Sequence, residues 1–185
     1  SLRARVCLAG REALYTYCAD RHIAHQRVGK LLVATDEAQR PRLEAIAAQA
    51  QTNGINGLQH LSGTEAMLLE PALRCVSALL SPDTGIIDSH GLMLALLGDA
   101  EAAGATLVTR APVTRVECQA NGFMLEVGGA EAMHLQARSL INAAGLGAVP
   151  LARQLAGFPA DLLPTHHYAR GNYFALQGRS PFSRL

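Results

Sequence analysis

The 185-residue chain has no tryptophan, and its aromatic content is only 4%. A protein that stacks nucleic-acid bases needs aromatic platforms and a basic stripe. Neither is present: 16 Lys and Arg stand against 15 Asp and Glu, a formal net charge of +1, and no basic run occurs. No apolar run approaches the ~20 residues that a membrane-spanning helix requires, and no signal-peptide pattern opens the sequence. Cys7, Cys18, Cys75 and Cys118 make no C-x-x-C pair. Scattered in this way, they read as reduced thiols of an intracellular, cytoplasmic protein. Only His22/His25 and adjacent His166/His167 come near ligand spacing, so no metal site is expected. A G-x-G-x-x-G fingerprint is also missing. Gly145-Leu146-Gly147-Ala148-Val149-Pro150 imitates its first half. Pro150 replaces the third glycine, however, and no strand ending in an acid follows at the required distance of about 20 residues.

Hydrophobic residues make up 49% of the chain and charged residues 17%, enough apolar matter for a real core. Val6, Ala9, Ala13, Leu14 and Tyr17 recur at helical spacing, which predicts an amphipathic helix ending near Arg21. Val28–Thr35 reads as a strand. Pro41–Thr52 reads as a helix stopped by Asn53-Gly54, and Ser62-Gly63-Thr64-Glu65 starts a short helix that Pro71 ends. Cys75–Leu80 is a second strand. After the turn at Ser81–Gly85, Asp88 or Ser89 caps an apolar helix, Leu92–Ala103. Strands are predicted at Ala105–Thr109, Val113–Gln119, Phe123–Val127 and Ala132–Gln136. The last three are joined by the hairpin turns Asn121-Gly122 and Gly128-Gly129. Leu140–Ala144 reads as a buried strand, Val149–Ala156 as a helix, and Tyr168–Leu176 as a final strand. Opening inside a helix and stopping after a strand-like run, the sequence reads as a piece of a longer protein.

Ser139–Gly147 is the stretch on which the functional reading turns. Its apolar start narrows to Ala143, Ala144 and Gly145. Small residues at the end of a buried strand let a ligand approach the backbone, and in open α/β sheets that end is where ligands sit. Close packing of a strand against a helix would use the same residues.

Helix, strand, three-stranded meander and a strand ending in Ala-Ala-Gly resemble the FAD-binding domain of the D-amino-acid-oxidase-like flavoproteins. Leu163-Pro164 and Arg170-Gly171-Asn172-Tyr173-Phe174 are similar to that family's Pro…(Arg/Lys)-Gly-x-Tyr-(Tyr/Phe) strand, although Asn172 stands where the family often has an acid. Within the superfamily the chain most resembles the L-2-hydroxyglutarate dehydrogenase/oxidase branch. The carrying motifs are Gly29-Lys30-Leu31-Leu32-Val33-Ala34-Thr35, Glu70-Pro71-Ala72-Leu73 and Thr84-Gly85-Ile86-Ile87-Asp88.

The resemblance implies an α/β fold, α+β in its substrate lobe. A partial Rossmann-like FAD lobe with a three-stranded antiparallel meander, residues 85–157, would sit in a chain whose residues 1–84 and 158–185 belong to a mixed-sheet substrate lobe. It implies FAD as cofactor, with Val113, Ala143, Ala144, Gly145, Leu146 and Gly171 lining it. Val113 would act through its backbone alone. Arg170 would meet a substrate carboxylate with two parallel hydrogen bonds, or be an ordinary surface charge. Tyr173 would face the substrate or the core. No catalytic base is identified; His90, His166 and His167 have no acid partner in the sequence. The implied reaction is oxidation of a small 2-hydroxy acid, L-2-hydroxyglutarate favoured, with a quinone or oxygen as electron acceptor. Alternatives are an amine or amino-acid oxidase of the glycine or sarcosine type, and a non-catalytic interaction module that keeps only the fold. Nucleic acid is not expected as a partner, and peripheral membrane association stays open.

Overall fold

The computed structural model describes residues 2–172 and 177–184. The chain divides into two compact units, Ser1–Ala105 with Phe174–Leu185, and Thr106–Tyr173.

In the first unit, helix α1 spans Leu2–Asp20. The expected apolar face holds only in part, and the buried side is rotated: Val6, Ala9 and Ala13 are exposed, Leu14 and Tyr17 of that face are half-buried, and Tyr15 and Cys18 beside them are half-buried and buried. Polar anchors set that rotation. The Tyr15 hydroxyl donates to the Asp83 carbonyl at 3.0 Å, and Arg11 pairs with the Asp83 carboxylate at 3.0 Å. Strand β1, His25–Arg27, follows. Gly29, at φ +74, then breaks the expected continuous strand Val28–Thr35, so β2 spans only Lys30–Ala34. Helix α2, Arg40–Thr52, has proline in its first turn, where no amide donor is needed. Strand β3 is Gln59–Ser62.

Helix α3, Gly63–Leu69, starts with a reciprocal cap. The Glu65 amide donates to the Ser62 hydroxyl at 3.2 Å, while the Ser62 amide donates to the Glu65 carboxylate at 2.7 Å. The Ser62 hydroxyl, then its amide, hold that carboxyl below the usual range. Strands β4, Ser77–Ser81, and β5, Gly85–Ile87, follow, then helix α4, Ser89–Ala102, where Asp88 caps the amides of His90 and Gly91.

β2, β4 and β3 form an antiparallel sheet in that order, and β1 pairs antiparallel with β5. The register sets Leu32 opposite Leu79, on one face. The buried core there is Ala34, Leu43 and Leu79, with Leu32, Ile46, Ala47 and Val76 packed against it. Leu79 is fully buried, a contribution of about 2 kcal/mol. The strands predicted at Val28–Thr35 and Cys75–Leu80 thus do share a sheet. The third expected member, Tyr168–Leu176, is irregular over 168–172, and its residues 173–176 lie outside the described residues.

The second unit holds the meander. Strands β6, Val113–Gln119, β7, Gly122–Val127, and β8, Met133–Ala137, pair antiparallel, with Val116 and Leu125 buried opposite each other. Gly122 at φ +143 and Gly129 at φ +113 occupy the two predicted turns, a backbone region that favours glycine. Helix α5, Ala148–Arg153, is shorter than expected. Leu155 and Ala156 leave it to form β9, parallel to β6 at Val116 and Glu117.

Two strand predictions fail here. Ala105–Thr109 and Leu140–Ala144 form no regular element. Leu107, Val108 and Ile141 are 58%, 61% and 88% exposed. A strand exists only when a neighbour takes up its backbone donors and acceptors, and no described strand lies beside either segment.

Candidate functional site

The Ala-Ala-Gly stretch is a turn held by one side chain. Asn142 donates from Nδ2 to the Ala148 carbonyl at 2.8 Å, and its Oδ1 accepts the Ala144 amide at 3.3 Å. The side chain thereby bridges the turn to the start of α5. Gly145 then opens a single 3-10 turn, Gly145–Gly147, in which the Gly147 amide donates to the Ala144 carbonyl at 2.9 Å. Gly145 has φ +56, and beyond its two chain neighbours no described atom lies within 4 Å of where a Cβ would be. Its glycine is therefore required by backbone geometry, and the space beside it is open. Ala143 and Ala144 are exposed, as is Leu146 at 71%. In the same unit an apolar cleft of about 290 Å³ is lined by Phe123, Leu140, Asn142, Ala152, Leu155 and Phe158.

Val113 begins β6 opposite Val127, next to a register shift between Val113 and Arg115. It is half-buried, so its side chain packs while its backbone borders an irregular edge. Arg170 and Gly171 are exposed and outside any regular element, and Arg170 forms no ion pair among the described residues. The call on Tyr173 lies outside the described residues. Val113, Ala143 to Leu146, Arg170 and Gly171 all belong to the second unit, but only Ala143 to Leu146 form one local structure. Among the described residues no group of three or more His, Cys, Asp or Glu is placed to hold a metal.

The residues present fit one side of a flavin nucleotide. A turn of small side chains with open space above a glycine can take a flat group against its backbone. A pyrophosphate is not well served there: α5 has only six residues, too short a helix to present a strong N-terminal dipole to an anion. Asn142 is the residue of this turn that the sequence pattern does not single out. An Asn just before a small-residue turn is a signal for side-chain bonds to the local backbone.

Comparison with known proteins gives a consistent picture. A family model described as FAD dependent oxidoreductase matches residues 1–184. The L-2-hydroxyglutarate dehydrogenase, mitochondrial, of Arabidopsis thaliana is 38% identical over 215 aligned positions, taking in 100% of this chain and 44% of the relative. The L-2-hydroxyglutarate dehydrogenase of Salmonella houtenae is 30% identical over 97% of this chain and 41% of its own length. The chain thus spans less than half the length of these relatives. Among solved structures, the FAD-bound L-alpha-glycerophosphate oxidase of Mycoplasma pneumoniae superposes with a TM-score of 0.76 at 24% identity, over 84% of this chain and 42% of that one. Glycine oxidase from Geobacillus kaustophilus gives 0.69 at 24% identity, over 81% and 42%. At those identities the likeness is one of fold.

Proposed function

The chain belongs to the family of FAD-dependent oxidoreductases, and on that premise we propose that the complete protein oxidises a small 2-hydroxy acid, L-2-hydroxyglutarate before others. The observation that carries this reading is the 38% identity, across the whole chain, to a relative named for that dehydrogenase activity. Flavin, when bound, supplies the hydride acceptor, and the protein's part is to orient and exclude. Asn142 fixes the turn, and Ala143, Ala144, Gly145 and Leu146 line the cofactor together with Val113 and Gly171. Arg170 is suited to a substrate carboxylate, because its guanidinium offers two parallel N–H donors; Tyr173 would border the same substrate. Electrons pass on to a quinone or to oxygen.

In functional terms residues 85–157 make a partial cofactor lobe, and residues 1–84 with 158–185 a substrate lobe. Within residues 85–105, β5 pairs with β1 and Asp99 of α4 bonds Tyr17, while an apolar face of α4 stays open for the cofactor lobe: Met93, Leu94 and Leu96 are 58%, 69% and 51% exposed. The cytoplasmic reading rests on four free cysteines; the relatives' names include mitochondrial enzymes.

The test is made on the full-length protein. It is expected to purify yellow, with flavin absorption bands that bleach on adding L-2-hydroxyglutarate and persist with glycine or sarcosine. Bleaching by glycine or sarcosine alone would move the protein to the amine-oxidase branch. A colourless protein that takes up no FAD would leave an interaction module.

A further inference from the structure

Glu70 is a buried carboxylate, 4% exposed, at the end of α3 in the motif Glu70-Pro71-Ala72-Leu73. Its partners come from more than a hundred residues away. Oε1 accepts the Ser183 hydroxyl at 2.5 Å, the Arg184 amide at 2.8 Å and the Ser183 amide at 3.0 Å. Oε2 accepts the Ser183 amide at 3.2 Å. The Arg184 guanidinium stands 3.4 Å from Oε1 and donates to the Leu69 carbonyl at 3.1 Å. A hydroxyl can turn round and accept, but two backbone amides and a guanidinium cannot. The cluster is therefore built for an ionised acceptor.

A second motif meets the same segment. Gly29 opens Gly29-Lys30-Leu31-Leu32-Val33-Ala34-Thr35, is buried, and donates its amide to the Thr84 carbonyl at 2.9 Å. A Cβ at Gly29 would lie 3.8 Å from Arg184 Cδ and 3.5 Å from Leu80 Cδ1. The stem of Arg184 thus rests on the start of β2 while its head reaches Glu70.

We propose that Glu70 is an acid-sensitive latch: its ionised carboxylate docks the segment Arg179–Arg184 on the first unit, and its protonation releases that segment. The Ser183 hydroxyl, followed by the amides of Ser183 and Arg184 and the Arg184 side chain, holds this carboxyl below the usual glutamate range, against burial, which pushes it up. A depressed carboxyl pKa places the docking energy above the unfolded value of about 4.3, and the energy is lost as pH falls through the lower folded value. Among the described residues, Arg184 is the charged side chain in ion-pair range. Of the other charges on the packed elements, Glu65 is engaged by Ser62, Arg74 donates to the Pro71 and Leu73 carbonyls, Arg179 borders a cleft that Glu70 lines together with Pro71 and Phe182, and Lys30 is exposed.

Hydrogen exchange of the full-length protein tests this without cofactor turnover or substrate, so it stands apart from the flavin reading. At pH 7 the Ser183 and Arg184 amides are expected to exchange at least tenfold more slowly than in an unfolded peptide. In Glu70→Gln, which keeps one uncharged acceptor oxygen but turns an NH2 donor toward the Ser183 amide in place of Oε2, they should exchange at least threefold faster than in wild type, with β4 amides unchanged. Should that variant fail to fold, wild type titrated with acid decides. Protection at Ser183 and Arg184, referred to the unfolded rate at each pH, should fall below about pH 4.3 while β4 stays protected. Unchanged protection in Glu70→Gln, or simultaneous loss at Ser183, Arg184 and β4 in wild type, overturns the latch.

Discussion

Replacing Gly85 by alanine should be among the costliest single-methyl changes in the first unit. Gly85 opens β5, paired with Arg27 of β1, and belongs to the motif Thr84-Gly85-Ile86-Ile87-Asp88. An added Cβ would fall on the Tyr15 hydroxyl and on the Gln26 carbonyl oxygen, with the Gln26 carbonyl carbon 3.2 Å away. One obstacle is backbone inside a ladder. The other is a side chain held at three points: its hydroxyl on the Asp83 carbonyl at 3.0 Å, the Arg27 guanidinium 4.2 Å from its ring centroid, and the His25 ring at 5.9 Å. Overpacking of a filled site costs about 1–3 kcal/mol. Losing the Tyr15 hydrogen bond adds roughly 0.5–1.5 kcal/mol. The expected loss is therefore about 2–4 kcal/mol. At about 2–4 °C per kcal/mol for a chain of this size, the melting point should drop by several degrees or more.

Gly98→Ala is the control. Gly98 lies inside α4 with nothing within 4 Å of the new Cβ, so the same methyl should stabilise by about 0.5–1 kcal/mol through helix propensity. Tyr15→Phe provides a further check, because removing the hydroxyl removes one of the two obstacles. The double variant Gly85→Ala/Tyr15→Phe should then lose less than the sum of the singles. The assay is urea unfolding followed by tyrosine near-ultraviolet circular dichroism. If Gly85→Ala unfolds at the wild-type midpoint, or Gly98→Ala costs as much, the close approach is not what selects glycine in this motif.

Leu79→Ala should cost about 2–5 kcal/mol in the same assay, because Leu79 is fully buried against Ala34 and Leu43. Ser62→Ala removes the acceptor for the Glu65 amide and should cost about 1 kcal/mol, with faster exchange confined to the first turn of α3. The Tyr17 hydroxyl donates to Asp99 at 2.6 Å; that bond, burial and the Asp99 charge raise its pKa above 10.0. A raised tyrosine pKa means that the clasp between α1 and α4 is intact below about pH 10 and weakens as pH rises through the folded value. Ultraviolet titration should show a late-ionising component that is absent in Tyr17→Phe.

Much of the local structure was legible because single residues decide it. Ser62 with Glu65, Asp88, Asn121-Gly122 and Gly128-Gly129 are caps and turns whose chemistry acts within four residues, and each stands where its spacing implied. The short strands were not legible. β1 reads His-Gln-Arg and β3 Gln-His-Leu-Ser, without alternation, and they are strands only because β5 and β4 pair with them. Pairing is a property of two segments, and one segment's side chains do not encode it.

The same reasoning explains the opposite error at Leu140–Ala144. Its apolar start and small end have the composition of a buried strand, but nothing described offers it a ladder, and Ile141 is 88% exposed. Composition states what surroundings a segment tolerates; a partner decides whether it gets them. The turn that follows does not depend on such a partner. Asn142 supplies its hydrogen bonds from within, and Gly145 takes φ +56 without crowding. That is why the candidate site keeps its local shape although the strand leading into it does not form. It is also why Gly145 can be glycine for a reason older than any ligand contact: a left-handed backbone disfavours a Cβ whether or not a cofactor lies beside it. Close approach of a cofactor, as proposed above, would then make use of a glycine that the turn already requires.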